Sequence, residues 1–198
     1  MGNCIGCEGA VDTKAHTGKA AKEDSFVEVM FFPDPRLPCK AAIANEPCTQ
    51  KRCRFDHDLD TNLLKILRYL RSAKKTMDIC VFTITSDEIA EEVLAAHKRG
   101  VRVRVITDDG QSKGVGSDIQ KFVDAGIPVR DDNARTYMHH KFCVIDGRTL
   151  LNGSFNWSRQ AIVGNAENLV VHANGPIVRH FKDYYEKLWK SYEANQWK

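Results

Sequence analysis

A short segment between residues 139 and 156 collects the side chains that phosphodiester chemistry needs. His139 and Lys141 are followed by Asp146, and then by Ser154 and Asn156, in the pattern H-x-K-x4-D-x6-G-S-x-N. An imidazole can act as a nucleophile or carry a proton, and an ammonium group supplies a point charge for a phosphate oxygen. The hydroxyl and the amide can donate hydrogen bonds to the same oxygens. The pattern therefore predicts a site for phosphodiester hydrolysis.

Strand geometry separates the two adjacent histidines of this segment. Residues 137–151 are predicted to form a hairpin, and side chains two apart in a strand point to the same face. His139 and Lys141 therefore share a face, while His140 points the other way. Asp146 has the other parity and lies at the turn, so we expect it to support the backbone and not to take part in the reaction.

Glu167 begins a further predicted strand and is the carboxylate we assign to the site. It can accept a hydrogen bond from the second imidazole nitrogen of His139, which would fix the tautomer and raise the nucleophilicity of the ring. The alternative is that these polar residues merely decorate a hairpin, but spacing, parity and the following G-S-x-N agree with one another. His180 and Lys182 repeat the H-x-K spacing within a predicted helix and lack the following aspartate, so the complete pattern occurs once.

Strands alternate with helices along the chain, which predicts an α/β fold with a mixed β-sheet sandwiched by helices. We expect a flexible tail over 1–24 and one catalytic domain over 25–198 that includes an insert at 39–57. The predicted strands cover 26–32, 77–83, 101–107, 127–130, 137–145, 149–151 and 167–172, and the main helices cover 59–74, 86–100 and 174–192. Asp60 or Thr61 is expected to cap the first of these helices and Ser86 the second. In the third helix, one stripe contains Ile177, Phe181, Tyr184, Leu188 and Tyr192.

The composition is that of an ordinary globular protein. The chain has 198 residues, is 42% hydrophobic and 28% charged, and carries a formal net charge of +3, which permits a polyanionic partner without requiring one. The N-terminus lacks the apolar core of a signal sequence, and no run approaches the roughly 20 apolar residues of a membrane-spanning helix. We therefore expect an intracellular protein with reduced or metal-bound thiols, located in the cytoplasm or at a membrane face.

A second cluster of chemically active residues lies in the insert. Cys39, Cys48, Cys53 and His57 are spaced C-x8-C-x4-C-x3-H. Three cysteines and one histidine are a usual ligand set for structural zinc. The alternative is a group of unrelated thiols in a loop, because the first two spacings are not those of a standard zinc finger.

The N-terminus could carry lipid. Gly2 follows the initiator Met, and Cys4 and Cys7 are close by, an arrangement that is typical of N-myristoylation combined with palmitoylation. Gly6 replaces the Ser or Thr usual at that position of the myristoylation pattern. The alternative is a disordered tail in which Gly2 has no such role.

Several segments together resemble the phospholipase D superfamily, and within it the single-motif branch of bacterial endonucleases and mitochondrial phospholipases D. The resemblance covers about 31–189 and is carried by Phe31-Phe32-Pro33, by the Val/Arg alternation of 101–105, by Tyr137–Phe142, by Gly153–Trp157 and by Glu167-Asn168. It implies that His139 attacks phosphorus to form a phosphohistidine, while Lys141 and Asn156 hold the phosphate, without a catalytic metal.

The resemblance has three further implications. A single copy of the motif implies a C2 homodimer, in which His139 of the partner subunit protonates the leaving oxygen. Mitochondrial members of this branch are expected to carry a CCCH finger after the Phe-Phe-Pro strand, which favours structural zinc at 39–57. A mitochondrial surface location is implied by the resemblance alone.

Three functions follow from these features. The first is an endonuclease acting on single-stranded nucleic acid, with Arg102, Arg104, Lys113 and the basic residues of the insert along the approaches to a groove at the dimer axis. The second is a phospholipase D-type hydrolase of cardiolipin or a related anionic phospholipid. The third is a zinc-stabilised membrane scaffold without catalysis. We favour the endonuclease because the sequence shows no apolar lid to hold acyl chains.

Overall fold

A seven-stranded mixed β-sheet organises residues 25–197, the part of the chain that the computed structural model describes. The spatial order is β1-β7-β6-β5-β2-β3-β4. β2, β3 and β4 run parallel to one another, and the remaining neighbours pair antiparallel. The strands are β1 (Ser25–Phe31), β2 (Thr76–Val81), β3 (Arg102–Thr107), β4 (Val129–Asp131), β5 (Lys141–Ile145), β6 (Thr149–Gly153) and β7 (Asn168–Ala173).

Seven helices, counted over residues 25–197, surround this sheet. Two of them begin as the sequence predicts: Thr61 accepts a hydrogen bond from the Leu64 amide at the start of α2, and Ser86 is the N-cap of α3. The helices are α1 (Lys40–Ala44), α2 (Asn62–Arg71), α3 (Asp87–Lys98), α4 (Asp109–Ser112), α5 (Ile119–Asp124), α6 (Arg159–Val163) and α7 (Gly175–Ser191).

The core lies on both faces of the sheet. On one face, apolar side chains of α2, α3 and α5 pack against inward residues of the strands, with Leu63, Ile66 and Val93 fully buried. On the other face, within the described part of the chain, α7 covers the strands through Val178 and Tyr185. Because both faces of the sheet are covered, five of the six residues in each of β2 and β3 are buried, including the charged residues Asp78 and Arg104. The predicted α/β fold with a mixed sheet between helices is confirmed.

One end of the sheet gathers the predicted site. Val81 at the end of β2 pairs with Lys141 at the start of β5, and Phe142 pairs with Asn152 near the end of β6. Gly153 in turn pairs with Leu169 of β7. The sheet thus brings the H-x-K segment, the G-S-x-N segment and Glu167 together at one end of neighbouring strands, although they are separated along the chain.

Three expectations differ from the structure. The predicted strand 137–145 begins only at Lys141. Before it, the Met138 amide donates to the Asp108 carboxylate and the His140 carbonyl accepts from the Phe82 amide, so these residues do not extend the strand. Tyr184 was expected on the buried stripe of α7 but is 43% exposed, and the adjacent Tyr185 is buried in its place. The short helices α1, α4 and α6 were not predicted.

The predicted acylation sites Gly2, Cys4 and Cys7 lie outside the described residues. Within the described part of the chain, no helix has the length and apolar character needed to cross a membrane.

Candidate active site

His139 is exposed and lies two residues before β5, at one end of the sheet. Its ring packs against Phe82, with 4.6 Å between the ring centroids. The backbone on either side is fixed: the Met138 amide donates to the buried carboxylate of Asp108 (3.2 Å), and the His140 carbonyl accepts from the Phe82 amide (2.8 Å). The imidazole is therefore presented to solvent from a well-anchored segment.

Lys141 shares this aromatic support. Its ammonium nitrogen lies 4.9 Å from the centroid of the Phe82 ring and donates a hydrogen bond to the His139 carbonyl (2.8 Å). Partial burial lowers the pKa of Lys141, and the nearby carboxylate of Glu167 acts in the opposite direction. The lysine is thus a fixed cation directly beside the imidazole.

His140 faces away from this pair. Its ring contacts Phe142 (5.7 Å between centroids) and Tyr184 (5.3 Å), both on the α7 side of the sheet. Burial lowers the pKa of His140, and the positive charges of Lys141 and His139 add to this effect. The two histidines thus lie on different sides, as strand parity predicts.

Within one chain, Glu167 does not form the predicted hydrogen bond with His139, so this prediction was wrong. The Glu167 carboxylate instead accepts from the Ser154 hydroxyl and from the Asn165 amide group. Ser154 also accepts from the backbone amide of Asn168 (3.0 Å). Glu167 precedes β7, so its carboxylate meets the chain leaving β6 before it can reach the segment ahead of β5. Glu167 therefore contacts the site through its hydrogen bond with Ser154, and its negative charge raises the pKa of Lys141.

Gly153 is required by a close approach of two strands. A Cβ at this position would lie 2.1 Å from the Asn168 carbonyl oxygen, so any side chain would push β6 away from β7. Such a shift would displace Ser154. The glycine of the G-S-x-N segment therefore sets the position of the polar residues that follow it.

Asn156 is held by its neighbour Trp157, which is 2% exposed and donates its backbone N–H to the Thr83 carbonyl (3.0 Å). The Asn156 Oδ1 atom is buried and has no hydrogen-bond partner among the described residues. A buried polar atom without a partner is uncommon and is often explained by a function. Oδ1 can only accept a hydrogen bond, so a phosphate oxygen would be bound by the Nδ2 group of the same amide.

Asp146 lies at the turn after β5 and does not reach the reacting groups. Its carboxylate accepts from the backbone amides of Lys74, Lys75 and Thr76 at 2.7–2.9 Å. Burial raises the pKa of Asp146, but these three amides outweigh that effect and hold the pKa below its ordinary value. The contacts join the hairpin to the segment that leads into β2.

Two of the basic residues expected beside the groove, Arg102 and Arg104, lie elsewhere. Arg104 is buried in β3 and bonds to Asp78 (2.8 Å) and Glu186 (2.6 Å), so its assignment to the groove was wrong. Arg102 was also wrongly placed, because it pairs with Thr76 at the opposite end of the sheet. Lys113 is exposed at the C-terminal end of α4, the short helix that follows β3 at the end of the sheet that carries the site.

Sequence reasoning missed Phe82 and Asp108, which support the site from below. The Phe82 ring contacts both the His139 ring and the Lys141 ammonium group, and the Asp108 carboxylate accepts a hydrogen bond from the Met138 amide. Phe82 reads as the last apolar residue of a buried strand. Its role depends on the pairing of β2 with β5, which the sequence does not reveal.

The four expected metal ligands come together in the insert. The Sγ atoms of Cys39 and Cys48 are 4.0 Å apart, and His57 Nε2 lies 3.7 Å from Cys39 Sγ and 3.4 Å from Cys53 Sγ. All four donor atoms lie within 4.8 Å of one another. A tetrahedral zinc site places neighbouring ligand atoms about 3.5–3.8 Å apart, so the donor set and its spacing fit a metal ion. The group can bind a metal ion without large rearrangement.

The arrangement at this end of the sheet combines a solvent-accessible imidazole, a fixed cation and the side-chain amide of Asn156. The imidazole can form a bond to phosphorus, and the cation can stabilise the charge that develops on the phosphate oxygens. These groups suit hydrolysis of a phosphodiester.

Comparison with known proteins agrees with this chemistry. Residues 66–189, more than half of the chain, match the family model described as cardiolipin synthase, PLD-like domain. The chain is 46% identical over 184 residues to mitochondrial cardiolipin hydrolase of Chlamydomonas reinhardtii, covering 93% of this chain and 82% of the relative. It is 35% identical over 177 residues to the Homo sapiens protein of the same name, covering 86% and 69%.

Solved structures show the same fold. Nuc of Salmonella typhimurium, a phospholipase D family member, superposes with a TM-score of 0.61 at 30% identity, covering 64% of this chain and 86% of its own. NucT of Helicobacter pylori gives a TM-score of 0.61 at 25% identity, covering 65% and 87%. The chain therefore belongs to the phospholipase D superfamily and is a phosphodiesterase of that superfamily.

Proposed function

We propose that the protein hydrolyses phosphodiesters through a phosphohistidine formed on His139. The imidazole nitrogen attacks phosphorus, and the bond from phosphorus to the leaving oxygen breaks. Water then attacks phosphorus, and the bond to His139 breaks in turn. Lys141 and Asn156 hold the non-bridging oxygens in both steps. The observation that carries this proposal is the packing of His139 and Lys141 on the same Phe82 ring.

The proposed mechanism needs a second proton carrier, and we assign it to a second copy of the chain. The leaving oxygen must receive a proton, and the attacking water must lose one. His139 of the partner subunit can do both if a two-fold axis passes beside the site. One complete motif in the chain and the exposed position of His139 support this arrangement. Light scattering should give the mass of a dimer, and an active, strictly monomeric protein would contradict it.

Single-stranded nucleic acid is the substrate class that the site favours. Asn133, Arg135 and Thr136, which precede His139, are polar and exposed, and Lys113 is exposed at the same end of the sheet. A phosphate backbone can follow such a surface, whereas an acyl chain needs an apolar groove. Flexible single strands also fit more easily than a duplex into a groove at a dimer axis.

Hydrolysis of cardiolipin or a related anionic phospholipid is the second candidate. The relatives named mitochondrial cardiolipin hydrolase favour it. The edge strand β1 also exposes apolar side chains: Phe26 is 58% exposed and Phe31 is 70% exposed. Phe31 pairs with Asn168, beside Glu167, so an apolar surface reaches the end of the sheet that carries the site.

We further propose that Cys39, Cys48, Cys53 and His57 bind structural zinc. The donor spacing described above supports this assignment. A bound ion would cross-link the insert, in which α1 is the only helix among the described residues.

Location is proposed on two grounds. The names of the relatives favour an association with mitochondria. Acylation at Gly2 and palmitoylation at Cys4 or Cys7 would hold the protein at a membrane face.

A side-by-side assay tests the proposed function. Wild type and the His139→Ala variant are compared on single-stranded RNA, single-stranded DNA and cardiolipin vesicles, with His140→Ala as the matched control. We expect cleavage of nucleic acid that is lost in His139→Ala, by about a thousandfold or more, and retained in His140→Ala. Cleavage of cardiolipin alone would favour the second candidate, and equal activity of all three proteins would contradict the assigned nucleophile.

A further inference from the structure

Tyr137 is an exposed aromatic residue beside the nucleophile, and the mechanism above does not use it. Its side chain is 73% exposed and lies two residues before His139. The ring centroid is 6.5 Å from that of the His139 imidazole and 5.5 Å from that of Phe82. The phenol ring therefore lies at the edge of the site with most of its surface open to solvent.

The ring has a defined position. It meets Phe82 at an interplanar angle of 71°, an edge-to-face geometry, and Phe82 is itself fixed by backbone hydrogen bonding to His140. The following residue, Met138, is buried and anchored to Asp108. Because the ring is already placed, a ligand that stacks on it loses little binding free energy to ordering.

The surroundings of Tyr137 distinguish a stacking partner from a membrane. The chain before it runs Asn133-Ala134-Arg135-Thr136, all exposed, with one cation and no large apolar side chain. Insertion into a bilayer requires a continuous apolar surface, which a single phenol ring between polar residues does not provide. An aromatic ring next to a cation and a phosphate site is the usual arrangement for single-stranded nucleic acid.

We propose that Tyr137 is a binding residue for the substrate and stacks on a nucleobase adjacent to the scissile phosphate. In a nucleotide, one sugar separates the base from its phosphate. A phosphate held between His139 and Lys141 therefore places a neighbouring base within reach of the Tyr137 ring. This inference rests on the proposed nuclease function and specifies what the site recognises: a π-face, without preference for one base.

The test compares two single-stranded DNA oligonucleotides of the same length, one with bases and one with tetrahydrofuran spacers in place of nucleotides. The quantity measured is the ratio of kcat/KM for the base-bearing to the abasic substrate. We expect Tyr137→Ala to lower this ratio about tenfold, mainly through KM. Tyr137→Phe and Tyr137→Trp keep a π-face and should preserve most of the ratio. Phe26→Ala is the control: this ring is 58% exposed but lies at the end of β1 that is away from the site, so its removal should not change the ratio.

Other outcomes would overturn the proposal. An unchanged ratio in Tyr137→Ala, with wild type cleaving both oligonucleotides, would refute stacking and leave the nuclease function standing. An equal loss on both substrates, together with a monomer mass in light scattering, would make Tyr137 an interface residue. Loss of binding to cardiolipin vesicles with an unchanged ratio would make it a membrane contact. Wild type that cleaves neither oligonucleotide, and no single-stranded RNA in the side-by-side assay, would refute the nuclease function itself, and the stacking proposal with it.

Discussion

The ammonium group of Lys141 donates a 2.8 Å hydrogen bond to the backbone carbonyl of His139. The cation is thus tied to the residue whose imidazole it assists, so the two groups keep their relative position. A phosphate entering the site would meet a lysine that is already placed, and little reorganisation would precede the reaction. Four predictions follow from the contacts around this pair and from the residues that hold the domain together.

The alkaline limb of the pH–rate profile should report Lys141. The lysine must be protonated to bind phosphate, and partial burial lowers its pKa, so kcat/KM should fall as pH rises, with an inflection below the ordinary lysine value of about 10.4. Because the Glu167 carboxylate raises the Lys141 pKa, Glu167→Gln should move the inflection to lower pH. Glu91→Gln, an exposed change on α3, is the control. An inflection that stays in place in Glu167→Gln would contradict the coupling.

Asp146 should contribute to stability in a pH-dependent way. Asp146→Ala removes the acceptor for three backbone amides and should lower the free energy of unfolding by about 1–3 kcal/mol at pH 7, and Asp146→Asn by less. The folded-state pKa is lowered, so the stabilisation by the charge is present above the ordinary value of about 3.9 and is lost as pH falls through the folded-state pKa.

Urea unfolding of wild type and Asp146→Asn from pH 7 down to pH 3 measures this dependence. The difference in unfolding free energy should be constant at neutral pH and shrink below about pH 4. A difference that grows on acidification would show that the carboxylate does not act as described.

Arg104 should be a stability residue and not a nucleic-acid contact. Arg104→Met leaves Asp78, which is 2% exposed, without its partner, and should cost about 3–5 kcal/mol. Adding Asp78→Asn should recover part of this loss, because the unpaired charge is then removed. Lys113→Met, an exposed change, should alter stability by no more than about 0.5 kcal/mol. Denaturant unfolding distinguishes these variants, and a mild effect of Arg104→Met would contradict the buried ion pair.

The cysteine cluster should hold about one zinc ion per chain. Removal of the metal with a chelator, or the Cys53→Ser change, should lower Tm by at least about 5 °C, because the insert loses its cross-link. Thr49→Ala, a change in the same insert that removes no ligand, should retain the metal. Elemental analysis and thermal unfolding test both points, and purified protein without metal would contradict the assignment.

Local patterns predicted much of the fold. Apolar spacing and a capping residue located α2 and Thr61, and strand parity separated His139 from His140. These features depend on residues a few positions apart, where backbone geometry is sufficient. Residue types and their spacing also singled out the Cys39, Cys48, Cys53 and His57 side chains of the insert, whose donor atoms lie within 4.8 Å of one another.

The features that could not be predicted from the sequence depend on contacts between residues that are far apart along the chain. Phe82 supports His139 only because Val81 pairs with Lys141 across the sheet. Arg104 alternates with valines as an exposed cation would, yet α7 covers that face and supplies Glu186 as its partner. Glu167 has the right residue type, but the path of β7 directs its carboxylate to Ser154. Each of these depends on contacts between distant parts of the chain.

Trapping the covalent intermediate tests the central claim most directly. Enzyme mixed with excess single-stranded oligonucleotide is quenched during turnover at alkaline pH, where phosphohistidine survives, and is then mapped by peptide mass spectrometry. We predict a nucleotidyl or phosphoryl adduct on His139 that is absent from His139→Ala and present in His140→Ala. An adduct on another residue, or rapid cleavage by wild type with no adduct on His139 at any time point, would contradict the assignment of His139 as the nucleophile.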